Sequence, residues 1–382
     1  MKKILFVTRH NPYVRSGGGL ATKAFINAFS KLYPNKVDLV LADNCSIDDS
    51  IKVNNIIKVK PRNTINRVFS LFTGKLHRFT PKVKELIDNE EYELCVFDGS
   101  IVAGSLIKYT KIKNIKSITI HHNYEPQYHL DNKSIESFKG YLSYFIKKNE
   151  KCAYLHSDLN LFLTQYDLNL FIIKYGKSDG KSKMIGIFEY ESSYKPQTKI
   201  HQNNIIKNKY RLVISGSLNS YQTEHGIISF YSKYWNLLSK NLDNFNLTIT
   251  GRNPSSQIYN TIGKNTNVSI IPNPINIEEI ILTNNIFFCP TCIGSGLKLR
   301  VMDGLRIGLP ILVHEVSARG YDYYFDKPWF QIYSDEESFV KAIQNIKNIL
   351  PNINNETITK EYLKFFSFES GLNRLESYLK II

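Results

Sequence analysis

The chain has 382 residues, of which 42% are apolar, and a formal net charge of +15. This length exceeds the usual size of one domain, so we expect two domains of about 180 residues each. The positive charge would suit a nucleic acid, an anionic membrane surface or a phosphate-rich ligand, but scattered lysines are equally expected from codon bias. No RNA-recognition, helix-turn-helix or zinc-finger pattern is present, which argues against a nucleic-acid partner.

The amino terminus lacks the pattern of a secretory signal, because the apolar run ILFV is short and Arg9 and His10 follow at once. No stretch approaches the roughly 20 apolar residues that span a bilayer. Five cysteines without a dense framework favour reduced thiols. Cys289 and Cys292 form a CxxC, but no second ligand pair stands at zinc spacing. We therefore expect a cytoplasmic protein, docked at most on a membrane face.

Short apolar runs alternate with helical patterns in the first half of the chain. The predicted strands are 2–8, 37–42, 55–60, 93–97, 117–122 and 159–164. A loop at Ser16–Gly19 precedes a helical pattern that begins at Leu20. The alternation predicts an open, mostly parallel sheet, in which ligands bind beyond the carboxyl ends of the strands. Gly17, Gly18 and Gly19, Asp98 and His121–His122 all follow such ends, so we expect them around one crevice.

The pattern restarts after the polar stretches 174–183 and 191–209. Strands are predicted at 211–217, 245–251, 268–272, 285–290 and 310–315, with helical patterns at 224–240 and 297–307. The closing residues 368–382 have the spacing of an amphipathic helix. We therefore predict an α/β protein with a first domain at 1–190, a second at 191–366 and a terminal helix at 367–382.

The segment 62–87 mixes basic residues with bulky apolar ones. Such a mixture is typical of a helix that lies on an anionic bilayer surface. The alternative is an ordinary surface helix whose apolar side packs on its own domain. Both interpretations remain open at this point.

The segment GSGLKLRVMDGLRIGLPILVHEVSARG, from Gly294 to Gly320, carries the most information about chemistry. A glycine-rich turn before a helix offers bare backbone amides to a phosphate. Lys298 and Arg300 add positive charge, and Asp303 is predicted two turns into the helix, where it could accept hydrogen bonds from ribose hydroxyls. Alone, such a turn is weak evidence, because tight strand-to-helix turns are common.

In its order and spacing, this segment resembles the donor site of GT-B glycosyltransferases, particularly the retaining family 4. The similarity extends to other landmarks: Ser16–Gly19, His122-Asn123, 157–171, VISGSL, LTITGR and the closing FSFESGLNRLESYL. The resemblance implies two Rossmann-like domains facing each other, with the nucleotide sugar held mainly by the second. It implies donor contacts from Gly294, Ser295, Gly296, Leu297 and Asp303. On the other side it implies that His122 contacts the transferred sugar, with Glu125 as an acid, a base or a contact to an acceptor hydroxyl.

Two departures from the family pattern concern charge. The family commonly has two acids spaced Glu-x7-Glu, and Ser295 stands at the first position. Many members carry Arg and Lys after the first strand of the second domain, where this chain has Ser217 and His225. If a diphosphate binds, the replacement cations are expected among Lys298, Arg300 and Arg252. Ser217 is also expected to contact the donor.

The sequence therefore predicts a glycosyltransferase that moves a sugar from a UDP- or GDP-linked donor to a saccharide or lipid-linked saccharide, in cell-surface polysaccharide biosynthesis. Retention at the anomeric carbon follows from the resemblance alone. No metal and no cofactor beyond the donor are expected, since an Asp-x-Asp motif is absent. Two alternatives remain: a nucleotide-sugar epimerase or hydrolase on the same fold, and a GT-B-like binding subunit without catalysis.

Overall fold

The computed structural model describes residues 2–14, 16–45, 49–60, 63–131, 139–178, 180–191 and 210–382. The linker predicted at 191–209 lies almost wholly outside these residues. The chain divides into two compact units. The first contains Met1–Tyr194 and Phe365–Ile382, and the second contains Lys195–Lys364.

The first unit is built on a parallel sheet. Its strands are β1 (Lys3–Thr8), β2 (Val37–Ala42), β3 (Asn55–Val59), β4 (Tyr92–Asp98), β5 (Lys116–His121), β6 (Leu159–Phe162) and β7 (Ser182–Met184). They pair in the order β3-β2-β1-β4-β5-β6-β7, and each neighbouring pair is parallel. The order reverses between β1 and β4, because the chain leaves β1 on one side and returns on the other.

Helices follow the strands of this unit. They are α1 (Gly17–Leu32), α2 (Thr64–Thr73), α3 (Thr80–Asn89), α4 (Ser100–Ala103), α5 (Ile107–Ile112), α6 (Glu125–Asp131), α7 (Lys139–His156) and α8 (Gln165–Tyr175), with a short 3₁₀ turn at His77–Phe79. None of the described helices combines the length and the apolar composition needed to cross a bilayer.

The second unit repeats the plan with six strands. These are β8 (Tyr210–Ser217), β9 (Phe245–Arg252), β10 (Val268–Pro272), β11 (Ile286–Cys289), β12 (Ile311–His314) and β13 (Phe330–Tyr333). They pair in parallel in the order β10-β9-β8-β11-β12-β13, so the order reverses between β8 and β11.

Helices also follow the strands of the second unit, and the last two residues of the helix Asn355–Phe366 belong to the first unit. They are α9 (Tyr221–Lys233), α10 (Trp235–Asn241), α11 (Ser256–Ile262), α12 (Ile277–Leu282), α13 (Arg300–Ile307), α14 (Glu315–Ala318), α15 (Glu336–Ile349) and α16 (Asn355–Phe366), with 3₁₀ turns at Asp322–Tyr324 and Leu350–Asn352. The closing helix is α17 (Phe368–Leu379).

The strands form where apolar residues occupy successive positions. Ile4, Leu5, Phe6 and Val7 of β1 are each 0% exposed, and all four residues of β11 are buried. Continuous apolar runs of this kind are typical of parallel strands with helices on both faces. The prediction of mostly parallel sheets is therefore confirmed, and all eleven predicted strands are present with ends within two residues of those observed.

Several predicted boundaries were wrong. The glycines Gly17–Gly19 are the first turn of α1 rather than a loop, because Ser16 caps the helix by accepting from the Gly19 N–H. Helix α13 begins at Arg300, three residues later than expected, so Asp303 lies in its first turn. The pattern 224–240 is two helices that break at Tyr234.

Two strands were missed by the sequence analysis. β7 lies inside the polar stretch that was expected to separate the domains, and its sequence, Ser-Lys-Met, has no apolar run. β13 has only four residues. Both stand at sheet edges, where one partner strand suffices and the apolar signal is weakest.

The closing helix α17 packs within the first unit. Arg374 Nε donates to the Ile185 carbonyl at 2.8 Å, and Tyr378 Oη donates to the Met184 carbonyl at 3.1 Å. Gly371 faces Phe188 so closely that an added Cβ would lie 2.0 Å from the Phe188 ring. The helix can therefore lie against this segment only with glycine at that position.

We expect Gly371→Ala to lower the melting temperature. Helix propensity alone would stabilise the variant by about 1 kcal/mol, but overpacking against Phe188 costs about 1–3 kcal/mol. Differential scanning calorimetry measures the sign. Glu376→Ala, at an exposed position of the same helix, is the matched control and should not destabilise. A higher melting temperature for Gly371→Ala would contradict the close contact.

Candidate functional site

Polar side chains of the first unit meet where its strand order reverses. Thr8 ends β1, with His10 two residues beyond, Asp98 ends β4, and His122 directly follows β5. Where the connections of two adjacent strands leave in opposite directions, a crevice forms at the carboxyl ends of the strands, and ligands of open α/β sheets bind there. The sequence analysis placed Asp98 and His122 at this edge, and it missed Thr8 and His10 as members of the cluster.

Asp98 is fully buried and hydrogen-bonded through both oxygens. Its Oδ2 accepts from Thr8 Oγ1 at 2.7 Å and from Thr22 Oγ1 at 2.5 Å, and its Oδ1 lies 2.5 Å from His122 Nε2. Burial raises the pKa of this carboxyl, but the neighbouring His122 and His10 and the Thr22 hydroxyl lower it more. The net pKa lies well below the usual range, so Asp98 is ionised.

His10 packs between His122 and the first turn of α1. The His10 and His122 rings have centroids 5.0 Å apart with a tilt of 42°. On its other side, His10 Nδ1 would lie 2.7 Å from a Cβ added to Gly18. Burial is the main reason that the His10 pKa falls to about 4, so the ring is neutral near pH 7. The glycine at position 18 therefore makes room for this ring.

Glu125, at the start of α6, is 2% exposed and forms an ion pair with Arg9. Arg9 Nη2 lies 3.1 Å from one carboxylate oxygen and 3.4 Å from the other. Burial raises the pKa of Glu125, but the neighbouring Arg9 and His129 lower it by more, so that the pKa falls to about 2. A carboxylate in this state is a fixed anion that orients Arg9, and the predicted role of Glu125 in proton transfer or acceptor binding stays a prediction.

His10, Asp98 and His122 each offer an atom of a kind that binds metal ions, and these atoms lie within 4.8 Å of one another. Two ligands of one zinc ion, at about 2.1 Å each and in tetrahedral geometry, lie about 3.4 Å apart. The 2.5 Å between Asp98 and His122 is therefore the separation of a hydrogen-bonded pair. An ion bound by both of these atoms could enter only if this pair opened.

In the second unit, the glycine-rich segment follows β11 at the reversal of that sheet. Gly294 and Gly296 have φ of +95° and +70°, which only glycine adopts without strain. A Cβ on Gly294 would lie 2.3 Å from Gln222 Nε2, so the start of α9 packs directly on this turn. The loop after β11 and the loop after β8 thus meet as one surface.

Arg300, the first residue of α13, extends over the end of β8. Its Nη1 donates to Thr223 Oγ1 at 2.7 Å, and a Cβ on Gly216 would lie 2.9 Å from its Cζ. The guanidinium therefore lies next to Ser217, near the place where the family pattern has its own cations. Thr223 and Gly216, which hold and admit this arginine, were not singled out by the sequence analysis.

Lys298 is 7% exposed, and its ammonium donates to the Ser295 carbonyl at 2.9 Å. Its own carbonyl accepts from Tyr321 Oη at 2.9 Å. The side chain thus closes the turn Ser295–Leu297 on itself and adds a positive charge beside the turn amides. Sequence reasoning predicted the charge and missed the structural contact.

The remaining predicted donor residues lie around the same edge. Asp303 pairs with Arg306 at 3.1 Å and is one-third exposed. Arg252 ends β9 in register with Ser217, which ends β8, and Arg252 is exposed. The Ser217 hydroxyl donates to Asn219 Oδ1 at 3.0 Å.

His225 stands at the second family cation position and contacts a cysteine. Its Nδ1 lies 3.5 Å from Cys292 Sγ. Burial raises the pKa of the Cys292 thiol, and Cys289 of the same CxxC is buried as a free thiol. These features agree with structural cysteines, and His225 turns toward Cys292 rather than replacing a lost cation.

Two Rossmann-like units with reversals at β1/β4 and β8/β11 define the GT-B fold. The chain aligns over 100% of its length with sucrose-phosphate synthase from Thermosynechococcus elongatus, at a TM-score of 0.72 and 11% identity, covering 98% of that chain. The lipopolysaccharide outer core galactosyltransferase WaaB aligns over 100% of this chain and 99% of its own, with a TM-score of 0.71 and 11% identity. HepE of Anabaena in complex with UDP aligns over 100% of both chains, with a TM-score of 0.69 and 11% identity. No protein-family profile and no curated protein matches the sequence.

We expect Gly18→Ala to displace the His10 ring. The added methyl would lie 2.7 Å from Nδ1, and a ring moved towards water loses the burial that holds its pKa near 4. An NMR titration of His10 should then give a value closer to the ordinary 6.5 or so. Lys31→Ala, at the exposed far end of α1, should leave the titration unchanged. A His10 pKa near 4 in Gly18→Ala would contradict the packing.

Proposed function

We propose that this chain is a glycosyltransferase that takes a sugar from a nucleotide-sugar donor, UDP-linked in the first instance, and transfers it to a saccharide or lipid-linked saccharide. The observation that carries the proposal is the position of Arg300. Its guanidinium lies across the reversal of the second sheet, beside a glycine turn with two positive-φ residues. Cations and bare amides at this point suit a diphosphate.

The proposed donor contacts fall into two groups. Arg300 and Lys298 would neutralise the diphosphate, together with the amides of Gly294–Gly296. Asp303, in the first turn of α13, would accept hydrogen bonds from ribose hydroxyls. HepE of Anabaena, which has been crystallised with UDP and with UDP-glucose, shares this fold, and this likeness supports testing UDP donors first.

Catalysis in this proposal is electrostatic. The C–O bond between the anomeric carbon and the diphosphate breaks with its electron pair going to the diphosphate, and fixed cations stabilise that charge. The acceptor hydroxyl oxygen forms the new bond to the anomeric carbon, and its proton passes to the departing diphosphate. No metal is required for this role, since Arg300 and Lys298 supply the positive charge. His122 would contact the transferred sugar from the first unit. Retention at the anomeric carbon is the expected outcome, and NMR of the product anomer tests it.

The basic and apolar segment predicted at 62–87 divides into two parts. Residues Phe79, Val83 and Ile87 are buried in the core of the first unit, so this part is an ordinary packed helix. No residue of α2 is buried. Arg62, which belongs to the predicted segment, lies outside the described residues.

A surface of exposed apolar side chains, here called the α2–α7 surface, joins α2 to the start of α7. Its members, each 45–65% exposed, are Ile65, Val68, Phe69, Leu71, Phe72, Tyr141 and Tyr144. Phe72 and Tyr141 contact edge to face with ring centroids 6.0 Å apart. The sequence analysis found the α2 half of this surface and missed the α7 half.

We propose that the α2–α7 surface docks on the cytoplasmic face of an anionic membrane, where a lipid-linked acceptor would be present. Arg67 on α2 and Lys147 and Lys148 on α7 are exposed, and the chain carries a net charge of +15. Aromatic rings that enter the headgroup region, flanked by cations that attract anionic lipids, are the chemistry of peripheral membrane binding.

We expect Arg300→Ala to weaken UDP binding about tenfold to hundredfold, measured by isothermal titration calorimetry. A hydrogen bond to a charged group contributes about 1.5–3 kcal/mol, and each 1.4 kcal/mol or so is tenfold in affinity. Arg300→Lys keeps the charge without the planar fork and should fall between. Lys341→Ala, which removes an exposed charge on α15, should bind as the wild type. Wild-type affinity in Arg300→Ala would contradict the assignment.

The products separate the alternatives. A transferase consumes the donor fastest when a saccharide acceptor is present, whereas an epimerase returns a nucleotide sugar of changed configuration without one. A hydrolase releases free sugar, and a binding subunit binds UDP without turnover. The proposal fails if no UDP- or GDP-sugar binds, or if the donor is turned over equally with and without every acceptor tried.

We expect Phe69→Glu/Phe72→Glu to abolish most co-sedimentation with vesicles of phosphatidylserine and phosphatidylcholine. The double variant replaces two inserted rings by charges that anionic lipids repel. Ile112→Glu/Ile173→Glu is the matched control, because these side chains are also exposed, at 74% and 76%, but lie on other helices. Wild-type binding should fall with added salt. Equal loss in both double variants, or none, would contradict docking through this surface.

A further inference from the structure

The buried carboxylate of Asp98 has no part in the function proposed above. It ends β4 at the reversal of the first sheet and is 0% exposed. A charge in such a place is costly unless it is paired and hydrogen-bonded. The partners that compensate for this burial therefore indicate what the charge is for.

The hydrogen atoms around Asp98 can be assigned from its hydrogen bonds, because two hydroxyls lie at Oδ2 and a ring nitrogen lies at Oδ1. An ionised carboxylate only accepts hydrogen bonds, so the two threonine hydroxyls donate to Oδ2 and His122 donates to Oδ1. His122 then carries a hydrogen on Nε2. Its Nδ1 is the ring nitrogen that is left to meet a substrate.

The orientation of the His122 ring is fixed from two directions. Asp98 forms a hydrogen bond with Nε2 at one edge of the His122 ring. The His10 ring packs against the same ring, with the two centroids 5.0 Å apart. The side chain of His122 is about one-tenth exposed, so only a small part of it can reach a ligand. Thr22 belongs to α1 and Thr8 to β1, so two separate elements hold the carboxylate that holds the ring.

We propose that Asp98 is a positioning residue for His122. It fixes the Nε2–H tautomer, so that Nδ1 is presented to a hydroxyl of the sugar. Thr8 and Thr22 position Asp98 in turn. This inference rests on the proposed function for the identity of the substrate, but the hydrogen-bond arrangement does not depend on it.

The first test is independent of activity. In protein labelled with ¹⁵N-histidine, two-dimensional NMR distinguishes the two tautomers. We expect His122 in the Nε2–H form in the wild type and a loss of that preference in Asp98→Asn, whose side-chain amide can donate to Nε2. His122 in the Nδ1–H form in the wild type, or an unchanged tautomer in Asp98→Asn, overturns the proposal. A confirmed tautomer together with no transfer to any acceptor would contradict the proposed function and leave the positioning role intact.

The second test uses kinetics with the best UDP-sugar and acceptor. We expect Asp98→Asn to lower kcat about 10²-fold, as misplacement of a contact by an ångström does, while the Kd for UDP stays within about twofold because the donor site lies in the other unit. An unchanged kcat overturns the proposal. So does a parallel loss of UDP binding, because a general structural role would produce it.

Thr22 supplies a milder pair of variants in case Asp98→Asn does not fold. Thr22→Val removes the hydroxyl at constant shape, and Thr22→Ser keeps it. We expect Thr22→Val to lower kcat several-fold and Thr22→Ser to retain it. Equal effects of the two overturn the role of the hydroxyl.

A metal ion held by His10, Asp98 and His122 is the competing explanation. Stoichiometric zinc, iron or manganese in the purified protein by mass spectrometry, lost together with activity in EDTA, would overturn the positioning role. Metal-free protein with full activity supports it.

Discussion

The reversal of strand order in each parallel sheet is the constraint on which the rest of this molecule depends. At β1/β4 and at β8/β11 the chain leaves in opposite directions, and the loops beyond the strands cannot cover the edge between them. Asp98 and His122 lie beside the first reversal, and Gly294, Gly296 and Arg300 lie beside the second. The same topological rule therefore produces a cluster of histidines and a carboxylate in one unit, and a cluster of cations and glycines in the other.

Glycine decides how closely side chains approach the backbone at both edges. A Cβ added to Gly18 would lie 2.7 Å from His10 Nδ1, and a Cβ added to Gly216 would lie 2.7 Å from Arg300 Nη1. These contacts bring an imidazole and a guanidinium onto the main chain at strand ends. Alanine at either position would push the functional ring or guanidinium away, which is a more specific requirement than freedom of φ and ψ alone.

The sequence predicts the sheets well because buried parallel strands leave a local signal. The apolar runs ILFV of β1 and IFFC of β11 predict these two strands directly. Ser182–Met184 is an edge strand of three polar or flexible residues and has no apolar run from which it could be predicted. The start of α1 depends on the cap hydrogen bond to Ser16, and the start of α13 depends on the geometry of the glycine turn before it. Composition alone specifies neither.

The candidate sites are less predictable because their partners are distant in sequence. Thr8 and Asp98 are 90 positions apart, and Arg300 and Thr223 are 77 apart. The glycine turn and its charged residues could be found from their own segment. Which cation reaches the end of β8 could not, since this depends on how α13 and α9 pack.

The balance of charges at the carboxyl ends of β8 and β11 explains how two departures from the family pattern can occur together. The pattern has two acids near the turn and two cations after the first strand. Here Ser295 removes one acid, and Ser217 and His225 remove both cations. Lys298 and Arg300 place two positive charges beside the turn instead, and Asp303 is already paired with Arg306. In the proposed donor site, serine at position 295 removes a negative charge that would repel a diphosphate, so Lys298 and Arg300 would not have to compensate for it. In the donor site proposed above, the electrostatic requirement concerns where charge lies in space, and the Arg300 guanidinium fixed on Thr223 would supply that charge beside the end of β8.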